Sequence, residues 1–288
     1  MALSPVIAGT MKWGAWGAKF NTQQYGAIIS VALDAGVTTF DHADIYGHYT
    51  TEAAFGMALV PSQRHQMQLI TKCGIKMVTP NRPQHTIKHY DTSKQHILQS
   101  VETSLQNLNT DYIDVLLLHR PSPLLNPDEV AETFTQLHQQ GKVRAFGVSN
   151  FTASQMMVLH QRYPLAYNQL ELSVTHLTPF VDGTLDYCLA NNIRPMAWAP
   201  LGGGNIFSAE TDQHQRITAV AGLLAEKYQA GADQILLAWL LQHPAGILPV
   251  LGTTKAERIQ MAMAARTIHL SNEEWFMLWR ASTGAEVA

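Results

Sequence analysis

The sequence predicts an α/β protein, a single (β/α)8 TIM barrel spanning residues 1–288, on three observations. Short apolar runs alternate with amphipathic stretches at fairly even spacing; polar residues close several of the runs; no linker, repeat or low-complexity segment divides the chain. Strand-then-helix repetition with short links predicts parallel strands joined by crossover helices. Runs rich in β-branched or large residues lie near 37–40, 67–71, 113–118, 143–148, 165–169, 193–198 and 247–251. A further run near 6–8 brings the set to the eight strands a closed barrel needs. Although the usual prior of ~100–200 residues per domain would allow two domains in 288 residues, barrels of this kind run longer as one unit.

Between the strands, helical periodicity falls at 22–35, 51–59, 93–108, 127–140, 152–161, 182–191, 213–229 and 233–242, with a last helix at 271–282. Asn21-Thr22, Thr92-Ser93 and Asn126 before Pro127 are start signals, because short polar side chains accept from free first-turn amides and proline tolerates a first-turn position. Gly36 and Gly141 follow helices where a left-handed residue is expected. Trp275 and Trp279, one turn apart, form the packing face of the last helix, and Met156-Met157, Met261 and Met263 are core filling. Residues 73–92 form one long irregular loop, and a loop of that length in a compact domain is often functional.

Composition narrows the function classes. With 22 acidic against 19 basic residues, the net charge of −3 supplies no polycation for nucleic acid or an acidic membrane. Cys73 and Cys188 are too few for a disulfide framework and fit a reducing compartment. No run approaches the ~20 apolar residues of a membrane span, and Met1 to Pro5 lacks the charged and apolar regions of a signal peptide. A cytoplasmic protein with no nucleic-acid or membrane partner is expected. No metal is expected either: His85 and His89 lie four apart outside any helical pattern, and neither His-Glu-x-x-His nor Cys-x-x-Cys occurs.

Four polar residues carry the chemistry. Asp41, Lys72 and His119 each close an apolar run, and Tyr46 lies just beyond Asp41. Strand C-termini of a parallel barrel open on one face, the face where chemistry is done. Taken singly, Asp41 reads as a helix cap, Tyr46 as packing and His119 as a core histidine. Lys72 is harder to place that way, since lysine is seldom buried unpaired; Asp41 is its natural partner. Gathered on one face, an acid, a phenol, a lysine and an imidazole point to proton transfer to a polarised oxygen.

The stretch from Asp34 through Asp41-His42-Ala43-Asp44-Ile45-Tyr46-Gly47, with Glu52 beyond, resembles the first signature of the aldo-keto reductase superfamily. Ser104-Leu105, Asp111 to Asp114 and Leu118-His119-Arg120-Pro121 resemble the second. Gly141 to Arg144, Gly147 to Phe151, Asn168-Gln169 and Gly252-Thr253-Thr254-Lys255 with Arg258-Ile259 follow in the family's order, covering nearly the whole chain. The short C-terminus is similar to that of bacterial members. The resemblance implies a (β/α)8 barrel that reduces aldehydes and ketones with NADPH, NADH being the second option, and acts as a monomer on a small-molecule carbonyl substrate. Tyr46 resembles the general acid, Lys72 the cation that lowers its pKa from about 10, Asp41 the partner holding Lys72, and His119 the residue orienting the carbonyl.

Cofactor residues follow from the same resemblance. Ser149, Asn150 and Gln169 resemble the side chains bonding the nicotinamide carboxamide. Trp198 stands where the family usually has a tyrosine stacked on the ring, or is a barrel-wall aromatic. Leu201 and Gly202 begin a loop that folds over the pyrophosphate, or a plain turn. Gly252, Thr253, Thr254, Lys255 and Arg258 resemble cofactor contacts, with Thr253, Lys255 and Arg258 a site for the adenosine 2′-phosphate, Lys255 and Arg258 being otherwise solvated helix-start charges. No Gly-x-Gly-x-x-Gly follows a strand, so the fingerprint of a doubly wound dinucleotide fold is missing.

Few residues follow the 271–282 helix, which implies an open pocket with specificity set by loop 73–92, the loop after Trp198, and Trp13 as a substrate contact. Arg82, Lys88 and His89 either select an anionic carbonyl compound or face water. The alternative to a reductase is a cofactor-binding regulatory or redox-sensing subunit with slow turnover. A metal-dependent barrel lyase or hydrolase lacks its ligand motif.

Overall fold

A computed structural model describes residues 2–208 and 210–287. Strands β1 (Ile7–Gly9), β2 (Thr39–Asp41) and β3 (Gln68–Cys73) are followed by a two-stranded hairpin of β4 (Ile75–Lys76) and β5 (His89–Tyr90). Then come β6 (Ile113–Leu118), β7 (Val143–Ser149), β8 (Tyr167–Glu171), β9 (Arg194–Trp198) and β10 (Leu248–Leu251). Apart from β4 and β5, the strands pair in parallel and close into an eight-stranded barrel in the order β1-β10-β9-β8-β7-β6-β3-β2. Closure leaves no open edge to template pairing with another chain.

The helices are α1 (Thr22–Asp34), α2 (Tyr46–Tyr49), α3 (Thr51–Ala58), α4 (Lys94–Asn107), α5 (Pro127–Gln139) and α6 (Ala153–His160). They continue with α7 (Thr178–Val181), α8 (Thr184–Ala190), α9 (Asp212–Tyr228), α10 (Ala232–Leu241), α11 (Ala256–Ala264) and α12 (Asn272–Thr283). The start signals work as expected: Asn21 makes a reciprocal capping box with Gln24, Ser93 caps α4, and Asn126 caps α5 with proline in its first turn. Gly36 and Gly141 take φ of 79° and 70°, the left-handed geometry that ends a helix cheaply at glycine.

Three features differ from the expectation. Residues 73–92 contain the β4–β5 hairpin, too short for periodicity to reveal. Helix α11 follows the last strand, its short apolar stripe buried through Ile259 and Ala262. The helix expected at 182–191 begins only at Thr184, and a short helix α7 precedes it, the two separated at Gly183, whose φ of 84° breaks the helical path.

Period-two alternation fills the barrel and aims the site. Ile70, Val115, Leu117, Tyr167, Met196 and Val250 belong to one buried cluster inside the barrel. Moving two residues onward along the same strand faces gives Lys72 from Ile70, His119 from Leu117, Gln169 from Tyr167 and Trp198 from Met196. The parity that buries the core therefore carries polar side chains to the C-terminal mouth. Gly147 shows how closely the strands pack, since a Cβ there would lie 2.4 Å from the Tyr167 carbonyl oxygen.

Candidate active site

Lys72 organises the mouth of the barrel. Its Nζ donates to Asp41 Oδ1 at 2.8 Å and Oδ2 at 2.7 Å, to the His42 carbonyl at 2.8 Å, and to Tyr46 Oη at 3.1 Å. Lys72 is 1% and Asp41 2% exposed, so the ammonium has left bulk water and depends on these partners. Burial alone would pull the lysine down; the Asp41 charge and the bonds to Asp41 and Tyr46 more than offset it, and the pKa ends above its ordinary value. Lys72 therefore stays charged throughout the neutral range.

Tyr46 is buried, and burial pushes its hydroxyl above the ordinary phenol value, with Lys72 pulling the other way. The sequence reading expected the lysine to win and bring the phenol down. It does not: the desolvation of an enclosed phenolate is the larger effect, and the charge of Asp41 adds to it. Tyr46 is consequently a fully protonated acid at neutral pH.

His119 follows β6, its backbone N–H donating to the Cys73 carbonyl at 2.9 Å. Its ring centroid lies 6.0 Å from that of Tyr46. Burial, reinforced by the positive charges of Lys72, Arg120 and Lys88, holds the imidazole well below its ordinary pKa. A neutral histidine results, with Nδ1 buried and unpartnered among the described residues. It retains one N–H and one lone pair for a bound oxygen.

The structure adds supports that single-residue reading missed. Thr10 Oγ1 donates to the Asp41 carbonyl at 3.0 Å and lies 2.9 Å from His42 Nδ1. Burial and the Lys72 charge push His42 down to about 3, so this second imidazole is neutral as well. Glu52 accepts from Thr71 at 2.5 Å and Ser104 at 3.1 Å, fastening α3 behind the site. Asp44 is held well above the usual carboxylate range, by burial first and then by the Glu52 charge. These contacts join residues far apart in sequence, so no local pattern announces them.

Trp13 requires a correction. It is fully buried, its Nε1 donates to the Thr253 carbonyl at 2.9 Å, and it packs among Tyr25, Phe40 and Phe55. It supports the β10 loop from inside the core and offers no face to a substrate. The partly exposed Trp16 is the tryptophan that lies beside the acid, its ring 6.0 Å from Tyr46 and 5.4 Å from His48. Of the two tryptophans in Trp13-Gly14-Ala15-Trp16, nothing local says which turns inward.

On the neighbouring strands, Ser149 and Gln169 face each other in register and are 1% and 3% exposed. Gln169 Nε2 donates to Asp41 Oδ1 at 2.8 Å, Asn150 Nδ2 to Ser149 Oγ at 2.8 Å, and Trp198 Nε1 to Asn150 Oδ1 at 3.0 Å. Beyond β9, Leu201 and Gly202 enter a tight 3-10 segment in which Gly202, Gly203 and Gly204 all have positive φ. Beyond β10, Gly252, Thr253 and Thr254 lead to Lys255 and Arg258, both exposed and absent from the ion pairs of the described residues. Amide and hydroxyl groups beside the acid, with unpaired cations at the next opening, fit the nicotinamide and phosphate ends of a dinucleotide. Loop 73–92 places Arg82 over the Tyr49 ring at 4.5 Å and leaves Lys88 and His89 exposed. Among the described residues no group of three or more His, Cys, Asp or Glu is placed to hold a metal ion.

Comparison with known proteins agrees with this geometry. A profile described as the aldo/keto reductase family matches residues 5–281. The chain is 46% identical to the uncharacterised oxidoreductase YcsN of Bacillus subtilis, covering 100% of this chain and 97% of that one. It is 40% identical to a 6-dehydroglucose reductase of Agrobacterium fabrum, covering 91% and 89% respectively. Among solved structures, an aldo/keto reductase of Klebsiella pneumoniae in complex with NADP and acetate superposes with a TM-score of 0.80. That match has 28% identity and covers 97% of this chain and 91% of the other. The chain is an oxidoreductase and belongs to the aldo/keto reductase family.

Proposed function

We propose that this protein reduces the carbonyl group of an aldehyde or ketone to an alcohol using NADPH, with Tyr46 as the general acid. The observation that carries the reading is Lys72 Nζ, bonded at once to both Asp41 oxygens and to Tyr46 Oη. A bound NADPH would supply the hydride to the carbonyl carbon. Tyr46 gives its proton to the carbonyl oxygen, and Lys72, 3.1 Å away, stabilises the phenolate left behind. Asp41 keeps Lys72 charged and aimed. Neutral His119 holds the carbonyl oxygen through a ring N–H, and water is largely excluded because all four side chains are buried. Ser149, Asn150, Gln169 and Trp198 would hold the nicotinamide, and Lys255 and Arg258 the adenosine phosphate, whose charge favours NADPH over NADH.

The whole chain would act as one cytoplasmic domain; no helix among the described residues is long and apolar enough to cross a membrane. The relative named 6-dehydroglucose reductase puts a sugar aldehyde first among substrates to try. The test is NADPH oxidation against a panel of sugar aldehydes, simpler aldehydes, ketones and quinones. Turnover by the wild type, with loss of turnover but retained NADPH binding in Tyr46→Phe, is the expected result. Equal rates for the two proteins would overturn the assignment of the acid.

A further inference from the structure

We propose that Trp198 is a positioning residue that fixes the hydrogen-bond polarity of the nicotinamide subsite. Its indole N–H makes Ser149 a donor, beside Gln169 as an acceptor, so the pair is complementary to a primary carboxamide. The inference rests on the nicotinamide-cofactor reading above and deepens it.

An asparagine or glutamine amide has a donor end and an acceptor end of nearly the same shape, so its neighbours decide which way it faces. An indole N–H can only donate. Trp198 Nε1 lies 3.0 Å from Asn150 Oδ1, which turns the Asn150 amino group to Ser149 Oγ at 2.8 Å. Ser149 Oγ is thereby the acceptor in that bond, and its own proton is left to give away. Asn150 reaches both neighbours because the chain turns left-handed there, at φ 60°, a conformation asparagine tolerates better than most residues.

Gln169 is oriented by the opposite kind of neighbour. The Asp41 carboxylate, held by the Lys72 ammonium, can only accept, and it takes Gln169 Nε2 at 2.8 Å. Gln169 Oε1 is left facing away from Asp41 and accepts no hydrogen bond among the described residues. Ser149 and Gln169 are register partners on β7 and β8, roughly 4.8 Å apart by ordinary strand spacing. The site therefore sets a hydroxyl donor beside a carbonyl acceptor. A primary carboxamide offers the matching pair, a carbonyl oxygen and an amino group.

Phenylalanine at 198 would keep a flat ring but leave Asn150 Oδ1 without its donor. The amide would then gain by flipping so that Oδ1 takes the Ser149 proton, and the donor half of the pair would be lost. The acceptor half, set by Asp41, would be untouched. A stacking role alone makes no such distinction between the two ends of the carboxamide.

The test is calorimetric binding of NADP+, its thionicotinamide analogue and its acetylpyridine analogue to wild type, Trp198→Phe and Asn150→Asp. The thio analogue weakens the acceptor facing Ser149, and the acetyl analogue removes the donor facing Gln169. In the wild type both analogues are expected to bind about tenfold more weakly than NADP+, ~1.4 kcal/mol each. In Trp198→Phe the preference over the thio analogue should vanish while the preference over the acetyl analogue stays. Asn150→Asp, which accepts at both ends, should do the same with the indole intact. Equal weakening of all three nucleotides, or unchanged preferences in both variants, would overturn the inference alone. Failure of the wild type to bind any of them would overturn the cofactor reading and this inference with it.

Discussion

Gln169 Nε2 donates to Asp41 Oδ1 at 2.8 Å, joining residues 128 positions apart on β8 and β2. The same carboxylate takes two bonds from Lys72, so Asp41 holds both the charge of the acid's partner and the orientation of a cofactor contact. Replacing Asp41 by Asn would leave the buried Lys72 without a countercharge. Loss of one member of a buried ion pair typically costs about 3–5 kcal/mol. Urea unfolding at neutral pH should show a loss of that size, with the lysine pulled down because only Tyr46 is left to oppose the effect of burial.

The rate of reduction should follow the protonation of Tyr46. The acid form is the active one, and burial raises its pKa, so activity is lost only as pH rises through a value above the ordinary phenol. Reduction should be flat across the neutral range and fall at strongly alkaline pH. Lys72→Met removes the charge that opposes this rise, so the alkaline fall should move further up and the rate drop by about 10²–10⁴-fold. A pH–rate profile of both proteins checks this; an alkaline limb in the wild type below the ordinary phenol value of about 10 would contradict it.

His42 and His119 make the fold acid-sensitive. Both are held neutral by burial, His42 down to about 3, whereas an unfolded histidine takes a proton near its ordinary value of about 6.5. Below that point the unfolded chain binds protons that the folded chain does not, so stability falls as pH is lowered. The contribution is fully present above about 6.5 and is lost progressively down to the folded pKa, at up to about 1.4 kcal/mol per pH unit for each group. Urea midpoints between neutral and mildly acid pH should fall with that sign, and His42→Asn should flatten the slope by roughly one proton.

Arg64 provides a contrast at the other end of the barrel. It donates to Asp114 Oδ2 at 2.9 Å, to the Met67 and Tyr112 carbonyls at 3.1 and 2.7 Å, and to Thr110 at 2.6 Å. Asp114 stands near the start of β6 and His119 just after its end, roughly 16 Å apart at ordinary strand rise. Arg64→Ala leaves the buried Asp114 with only Arg144 at 3.1 Å and the Leu69 N–H at 2.9 Å, and should cost roughly 1–3 kcal/mol in urea unfolding. The turnover of the folded variant should stay near wild type, because the pair touches nothing at the mouth.

Much of this was readable in the chain. The eight strands follow from short apolar runs, and Asn21, Ser93 and Asn126 mark helix starts because capping is a local bargain between one side chain and the next few amides. The position of Asp41, Lys72 and His119 at strand ends is likewise local, and period-two alternation then puts them on one face. By contrast, the turns of Trp13 inward and Trp16 outward, the β4–β5 hairpin and the break at Gly183 between α7 and α8 leave no periodic trace.

Sequence by itself determined the elements, their order and the residue types delivered to the barrel's mouth, because periodicity, capping and strand parity act over a few residues. Tertiary structure decided the balance of forces among them. Whether burial or Lys72 controls the Tyr46 proton, and which way the Gln169 and Asn150 amides face, depends on desolvation and on partners from other strands. Those quantities exist only once the barrel has closed and brought distant residues within a hydrogen bond of one another.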